Sequence, residues 1–204
     1  LKQLPQLQLA RLSRSFDSLL LEDLPALQQL VIEQKKDITI AIPVLPSLQS
    51  LHLEFVGRSL QLQSQPSLKT LKIETSDECY VELPQCPALK SVSLGSGWGY
   101  SSSLVVGTDI GDQPVLEKML LTQPCCLDLS IGNCPALQEI SLQSYYGDPP
   151  SSEHSLKYKY NFKAALPSLK SMHLVAGQHD FASWPAFVSL ETLVLRGIAN
   201  ENLQ

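Results

Sequence analysis

Three glutamates recur at nearly equal intervals and are the residues of this chain best placed to do chemistry together. Glu33, Glu54 and Glu74 are separated by 21 and 20 residues, and His52 and Lys72 each stand two residues before one of them. Carboxylates on one surface can attract a basic partner. A pair of them can also act as the acid and base of a polysaccharide-cleaving enzyme. The choice depends on the elements that position these side chains.

The glutamate interval belongs to a repeat that runs through almost the whole chain. Its copies begin at Pro5, Pro25, Pro46, Pro66, Pro87, Pro114, Pro135 and Pro167, with Val188 taking the proline position in a ninth copy. In every copy the second residue after this position is leucine, and the fifth and seventh are apolar. The fifth and seventh residues share one face of a strand, because strand side chains alternate with a period of two. Each copy therefore predicts a proline turn followed by a strand.

A second alternating apolar segment follows in several copies and predicts a shorter outer strand. Examples are residues 38–42, 60–62, 79–83 and 127–131. Helical spacing of apolar residues is missing, and a unit of roughly 21 residues leaves no room for an outer helix. We therefore predict a mainly β fold with little helix. Residues 1–204 would form one solenoid domain of about nine coils, with parallel inner strands and short outer strands.

Segments 48–53, 68–73 and 137–142 resemble the leucine-rich repeat family, in an irregular form with short repeats. The resemblance implies a solenoid that recognises other proteins through its concave face. The chain departs from the best-known family pattern, because the asparagine or cysteine that bonds neighbouring coils is replaced by residues such as Lys35 and Val56. The repeats are also similar to irregular ones in plant immune receptors and in some bacterial effectors.

Two copies are longer than the others and contain aromatic residues after the inner strand. In these two copies the proline position of the next repeat lies 27 and 32 residues after the proline, rather than about 21. Insertions in solenoids often lie on the binding face, and a mixture of aromatic residues, glycine and serine is common in recognition loops. The predicted partner-binding residues are Trp98, Tyr100, Tyr145 and Tyr146, together with His52, Lys72, Glu33, Glu54 and Glu74. His52 and Lys72 could instead neutralise the glutamates internally, together with Lys69.

Charge and hydropathy narrow the possible partners. The net charge of −5 disfavours nucleic acid, because no basic excess is available to neutralise phosphates. The sequence contains no apolar run of about eighteen residues, so it predicts no segment that inserts into a membrane. The five cysteines have neither zinc-site spacing nor an evident disulfide pairing, since Cys86 and Cys134 share a repeat position two coils apart. We expect reduced thiols, a cytoplasmic location, and no metal or cofactor.

We therefore hold two main hypotheses of function, and we expect no enzymatic activity. The first is a protein-interaction module that uses the concave face and the loops at one edge. The alternative is a structural repeat arm of a larger receptor, effector or ubiquitin-ligase-type protein, because neither end has an obvious cap and the chain reads as a fragment. A β-helix acting on carbohydrate is a third reading, supported only by the glutamates. Residues 95–99 lack the lysine of a phosphate-binding loop.

Overall fold

The computed structural model describes residues 1–13, 17–34, 39–55, 60–75, 79–96, 105–122, 126–143, 157–179 and 184–198. These residues form strands and turns, and none of them is helical. A membrane-spanning helix is accordingly not found among them. The strands in chain order are β1 (Leu9–Ser13), β2 (Gln29–Gln34), β3 (Ile40–Ile42), β4 (Ser50–Phe55), β5 (Leu60–Leu62), β6 (Thr70–Thr75), β7 (Cys79–Leu83), β8 (Ser91–Ser96), β9 (Val105–Ile110), β10 (Lys118–Thr122), β11 (Cys126–Ile131), β12 (Glu139–Gln143), β13 (Lys157–Phe162), β14 (Ser171–His179) and β15 (Thr192–Ile198).

The first sheet contains one strand from each of the nine repeats. Its order is β1, β2, β4, β6, β8, β10, β12 and β14, with β15 on the other side of β14. All of these pairs are parallel, and equal repeat positions face each other, so that Leu51 lies between Leu30 and Leu71. The predicted mainly β solenoid with turns of roughly 21 residues is therefore confirmed.

The remaining strands, which we call the second sheet, are arranged less regularly than the first sheet: β3 and β5 pair only with each other, whereas β7, β9, β11 and β13 form a separate parallel series. In the described part of the chain, six turns carry a strand on this side, namely β3, β5, β7, β9, β11 and β13. These strands lengthen from three residues in β3 and β5 to six in β9, β11 and β13. The nine-residue strand β14 pairs with β12 at its start and with β13 at its end, so it joins the two sheets.

A hydrogen-bonded turn precedes each strand of the first sheet. In the third copy the N–H of Leu48 donates to the carbonyl of Leu45 at 3.0 Å, and Pro46 and Ser47 occupy the two corner positions. Proline suits the first corner because its ring fixes φ near the value that this turn requires. The same bond recurs in all nine copies, including the ninth, where Val188 replaces the proline.

Aligned apolar columns from both sheets fill the interior. Leu27, Leu48 and Leu68, the second residues after their prolines, are completely buried. The second sheet contributes Ile40 and Ile42, which are equally inaccessible. Burying each such side chain stabilises the fold by about 1.5–3 kcal/mol. One turn alone could not exclude water from both of its sides, so this stabilisation depends on the stack.

Candidate recognition face

The outward side of β1, β2, β4 and β6, which we call the glutamate face, brings the three predicted glutamates onto adjacent strands. Glu54 on β4 is in register with Glu33 on β2 and with Glu74 on β6. His52 is likewise in register with Lys72. Neighbouring strands lie about 4.8 Å apart, and like charges in register disfavour one another. The face therefore needs compensating positive charge.

The two outer glutamates are compensated within the chain. Arg11 Nη2 on β1 lies 2.5 Å from Glu33 Oε1. On the other side, Glu74 Oε2 accepts a hydrogen bond from Lys72 Nζ at 3.0 Å and lies 3.1 Å from His52 Nε2. Lys72 and His52 both stabilise the ionised form of the Glu74 carboxylate. Each of the two outer charges thus has an internal partner.

The environment of Glu74 has opposing effects on its pKa. Burial raises it, because a carboxylate loses solvation when water is excluded. Hydrogen bonds from Lys72 and His52, and the positive charge of the two side chains, lower it. These contacts prevail, so the pKa of Glu74 lies below its ordinary value. Glu74 is consequently held as a carboxylate in a fixed ion pair.

The central glutamate differs from its two neighbours. Glu54 is half-buried on the same face, yet within the described residues it makes no hydrogen bond and no ion pair that meets ordinary distance limits. Lys69, which could have compensated it, instead donates to Gln49 Oε1 at 3.1 Å. Positive side chains of this chain therefore compensate Glu33 and Glu74, but no described side chain compensates Glu54. Glu54 remains available to an external group.

Arg11 is the one contributor to this face that sequence reasoning missed. It is the sixth residue after Pro5, which is the repeat position that also holds His52 and Lys72. Extending that column back into the first copy would have found it. The side chain reaches across to the next strand, so its ion pair joins repeat positions six and eight. The His52–Glu74 contact has the same diagonal geometry.

Gly95, on β8, occupies the repeat position at which the glutamate column ends. It is in register with Glu74 on one side and with Thr122 on the other. A Cβ atom placed on Gly95 would lie far inside van der Waals contact with Thr122 Oγ1. A fourth acidic side chain is therefore excluded at this position while Thr122 keeps its conformation.

The predicted aromatic residues Trp98, Tyr100, Tyr145 and Tyr146 lie outside the described residues. The strands that lead to them are described. β8 ends at Ser96 and β12 ends at Gln143, and both strands belong to the first sheet and run in the same direction. Both strands therefore end on the side of the sheet where repeat position eight, the position of the glutamates, lies.

A buried column at the proline corners, which we call the corner column, contains two glutamines whose role was not foreseen. It consists of the residues immediately before four successive prolines: Gln65, Cys86, Gln113 and Cys134. All four are almost completely inaccessible. Gln65 Oε1 accepts from the Leu45 N–H at 2.9 Å, and its Nε2 donates to the Pro43 carbonyl at 2.6 Å.

The second glutamine of the corner column repeats these contacts. Gln113 Oε1 accepts from the Cys86 N–H at 3.0 Å, and Gln113 Nε2 donates to the Pro84 carbonyl at 2.9 Å. Each glutamine therefore bonds the backbone of the preceding turn, at the same two repeat positions. The two glutamines satisfy buried backbone groups that would otherwise have no partner. Both amides bond one turn to the turn before it.

The two cysteines of the corner column are free thiols. Burial raises the pKa of both, and that of Cys134 rises to about 11 even though a backbone hydrogen bond from Gln113 opposes the change. Thiols that stay protonated at neutral pH are poor nucleophiles and poor metal ligands. Nothing in their surroundings suggests a catalytic role. They pack as small apolar residues.

Metal-binding and catalytic groupings were also sought among the described residues. No group of three or more histidine, cysteine, aspartate or glutamate side chains there could hold a metal ion. His52 on β4 and His173 on β14 occupy the same repeat position, but β6, β8, β10 and β12 lie between their strands. They cannot meet at one site. The glutamate face is therefore the most developed polar arrangement outside the core.

Comparisons with known proteins assign no family to this chain. Searches against protein-family models, curated proteins and solved structures each found no match for this chain.

Proposed function

We propose that the chain is a leucine-rich-repeat-type module that binds another protein through the glutamate face. The repeat supports the family assignment, since all nine copies share the leucine positions and a proline-type turn. The corner column supports it as well, because buried side-chain amides bond successive turns there. Free thiols at Cys86 and Cys134 are consistent with a cytoplasmic location.

One observation supports binding more than any other: Glu54 is the uncompensated member of three aligned carboxylates. Glu33 and Glu74 have partners within the chain, and Glu54 has none among the described residues. A lysine or arginine from a partner would complete the pattern. Such a charge-assisted hydrogen bond contributes about 1.5–3 kcal/mol, which corresponds to roughly tenfold or more in affinity. The partner would therefore present a basic residue to β4.

A site-specific photo-crosslinker would test this proposal. It should replace Val31, which is in register with His52 on the glutamate face and offers no side-chain hydrogen bond. The matched control replaces Gln61, which is exposed on the second sheet. After irradiation in an extract of the source cells, position 31 should yield a discrete crosslinked protein, and position 61 should not.

A second variant makes the result specific for Glu54. Glu54→Lys should abolish the crosslink from position 31, because it places a like charge against the basic residue of the partner. The alternative, a structural repeat arm, predicts no protein that depends on Glu54. A crosslinked protein whose yield does not change in Glu54→Lys would contradict the proposed site.

A further inference from the structure

Ion pairs between strands of the glutamate face run in one diagonal direction. Arg11 on β1 contacts Glu33 on β2, and His52 on β4 contacts Glu74 on β6. In both cases a side chain at repeat position six reaches the carboxylate at position eight of the next strand. We call these contacts the diagonal pairs. The register of the sheet offers one such pair at every step from strand to strand.

The step that lies between the two diagonal pairs has no cation. It runs from Val31 on β2 to Glu54 on β4, because Val31 is in register with both Arg11 and His52. The Val31 side chain is half-buried and lies on the same outward side of β2 as Glu33. A valine carries no charge and donates no hydrogen bond. The middle carboxylate therefore lacks the internal partner that the same geometry gives to its neighbours.

The described cations near this step are engaged elsewhere. The diagonal of Lys72 leads to Gly95, which has no side chain, and Lys72 pairs with Glu74 on its own strand instead. Arg11 and His52 each contact the carboxylate one strand further along the sheet. None of the three turns back to the middle carboxylate. The vacancy thus follows from one residue, the valine at repeat position six of β2.

We propose that Val31 determines what binds to this face: a lysine or arginine of the partner lies across Val31 and completes the missing diagonal pair with Glu54. This inference rests on the proposed function. The flanking side chains of Arg11 and His52 start from strands two spacings apart, about 9.6 Å, which leaves room for one extended side chain between them. Its apolar stem would pack on the Val31 methyl groups while its charged end stays at the carboxylate.

The first test asks whether a cation at position 31 reaches Glu54 in the purified chain. The melting temperature of Val31→Arg should fall by about 1–3 °C when Glu54→Gln is added. Glu54→Gln alone should change the unaltered chain little. The difference should shrink at about 1 M salt, because charges are then screened within about 3 Å. A Val31→Arg variant that does not respond to Glu54→Gln would overturn this inference and leave the proposed function standing.

Ser93→Arg is the matched control for the added charge. Ser93 occupies the same repeat position on β8 and is also half-buried. Its diagonal leads to Thr122, which has no carboxylate. The variant therefore adds the same charge to the same side of the sheet without offering a partner to Glu54. Its melting temperature should not respond to Glu54→Gln.

The second test asks whether an internal cation excludes the partner. A photo-crosslinker at Ser50, which lies on the same side of β4, leaves position 31 free for substitution. In an extract of the source cells, the yield of the protein that crosslinks to position 50 should fall roughly tenfold or more in Val31→Arg. Val31→Ile, which stays apolar, should keep most of the yield. Ser93→Arg should reduce it much less than Val31→Arg does.

The outcomes separate this inference from the proposed function. A crosslink that depends on Glu54 but persists in Val31→Arg would show that the basic residue of the partner does not lie across Val31, and only this inference would fall. An equal loss in Ser93→Arg would show general repulsion between charges and would overturn it too. If no crosslinked protein depends on Glu54, the proposed function falls, and this inference falls with it.

Discussion

The corner column and the glutamate face are both polar columns that recur from turn to turn, but they differ in how completely they are satisfied. In the corner column, Gln65 and Gln113 each bond both a backbone N–H and a carbonyl of the preceding turn. On the glutamate face, the central carboxylate of Glu54 has no described partner. The glutamates occupy three consecutive turns, whereas the glutamines of the corner column alternate with cysteines.

The fold requires the hydrogen-bonded glutamines of the corner column, whereas the carboxylate of Glu54 remains available to an external group. A buried polar group without a partner costs about 1–3 kcal/mol, so the interior tolerates few of them. A carboxylate that water still reaches, as at the half-buried Glu54, has no such requirement. We infer that the corner column serves stability and that the glutamate face can be altered at little cost to folding.

The largest expected effect comes from breaking the corner column. Gln65→Leu would leave the Leu45 N–H and the Pro43 carbonyl without their side-chain partner. We expect the free energy of unfolding to fall by about 2–4 kcal/mol, measured as a lower midpoint of urea denaturation. Gln61→Leu is the matched control, because it makes the same chemical change at an exposed strand position. Equal losses in both variants would contradict the role of the column.

A smaller effect is expected where the glutamate column ends. Gly95→Ala brings a Cβ atom against Thr122 Oγ1 and should lower stability by about 1–3 kcal/mol, as overpacking does. Thr122→Ala removes that oxygen, so the double variant should recover most of the loss. A double-mutant cycle in urea would measure the coupling. If the two changes were simply additive, the proposed contact would be wrong.

The ion pair of Glu74 should produce a modest dependence on pH. Because its pKa is lowered in the folded state, the ionised carboxylate adds stability above the pKa of the unfolded chain, and this contribution disappears as pH falls through the folded pKa. Glu74→Gln should therefore be less stable than the unaltered protein at pH 7, with the gap narrowing in acid. Thermal melts between about pH 7 and pH 3 would show this.

Glu54→Gln supplies the comparison for that experiment. Since Glu54 has no described partner, its replacement should change the melting temperature little at any pH in this range. A loss at pH 7 as large as that of Glu74→Gln would show that Glu54 is also compensated within the chain. The availability of its carboxylate to a partner would then lose its basis.

Much of the architecture was readable from the repeat, because period and register are properties of the sequence. The leucines after each proline predicted the columns in which Leu30, Leu51 and Leu71 now stand. The apolar alternation around Ile40 and Leu60 predicted second-sheet strands. The alignment of Glu33, Glu54 and Glu74 followed from the same period, since parallel strands joined by equal turns must present equal positions side by side.

The residues that the sequence analysis missed make contacts that depend on how far their side chains extend. Gln65 and Gln113 appear as isolated polar residues in sequence, and only the turn geometry aims them at the backbone of the preceding turn. The lack of asparagine at the repeat position where the family pattern has it suggested that no buried amide column exists, but the longer glutamine at a different repeat position forms one. Arg11 similarly acts across a diagonal: extending its repeat position into the first copy would have found the residue, but not its ion pair with Glu33.

Engineered cysteine pairs would test most directly the stacking in register on which all of these inferences rest. Ser50 and Thr70 face each other on β4 and β6, at a strand spacing of about 4.8 Å that lies within disulfide range. Ser50 and Ser91 are two strands apart, about 9.6 Å, which is beyond that range. Under mild oxidation, the Ser50→Cys/Thr70→Cys variant should form an internal disulfide, detected by peptide mass spectrometry, and the Ser50→Cys/Ser91→Cys variant should not. A disulfide in the second variant alone, or in neither, would contradict the parallel stack.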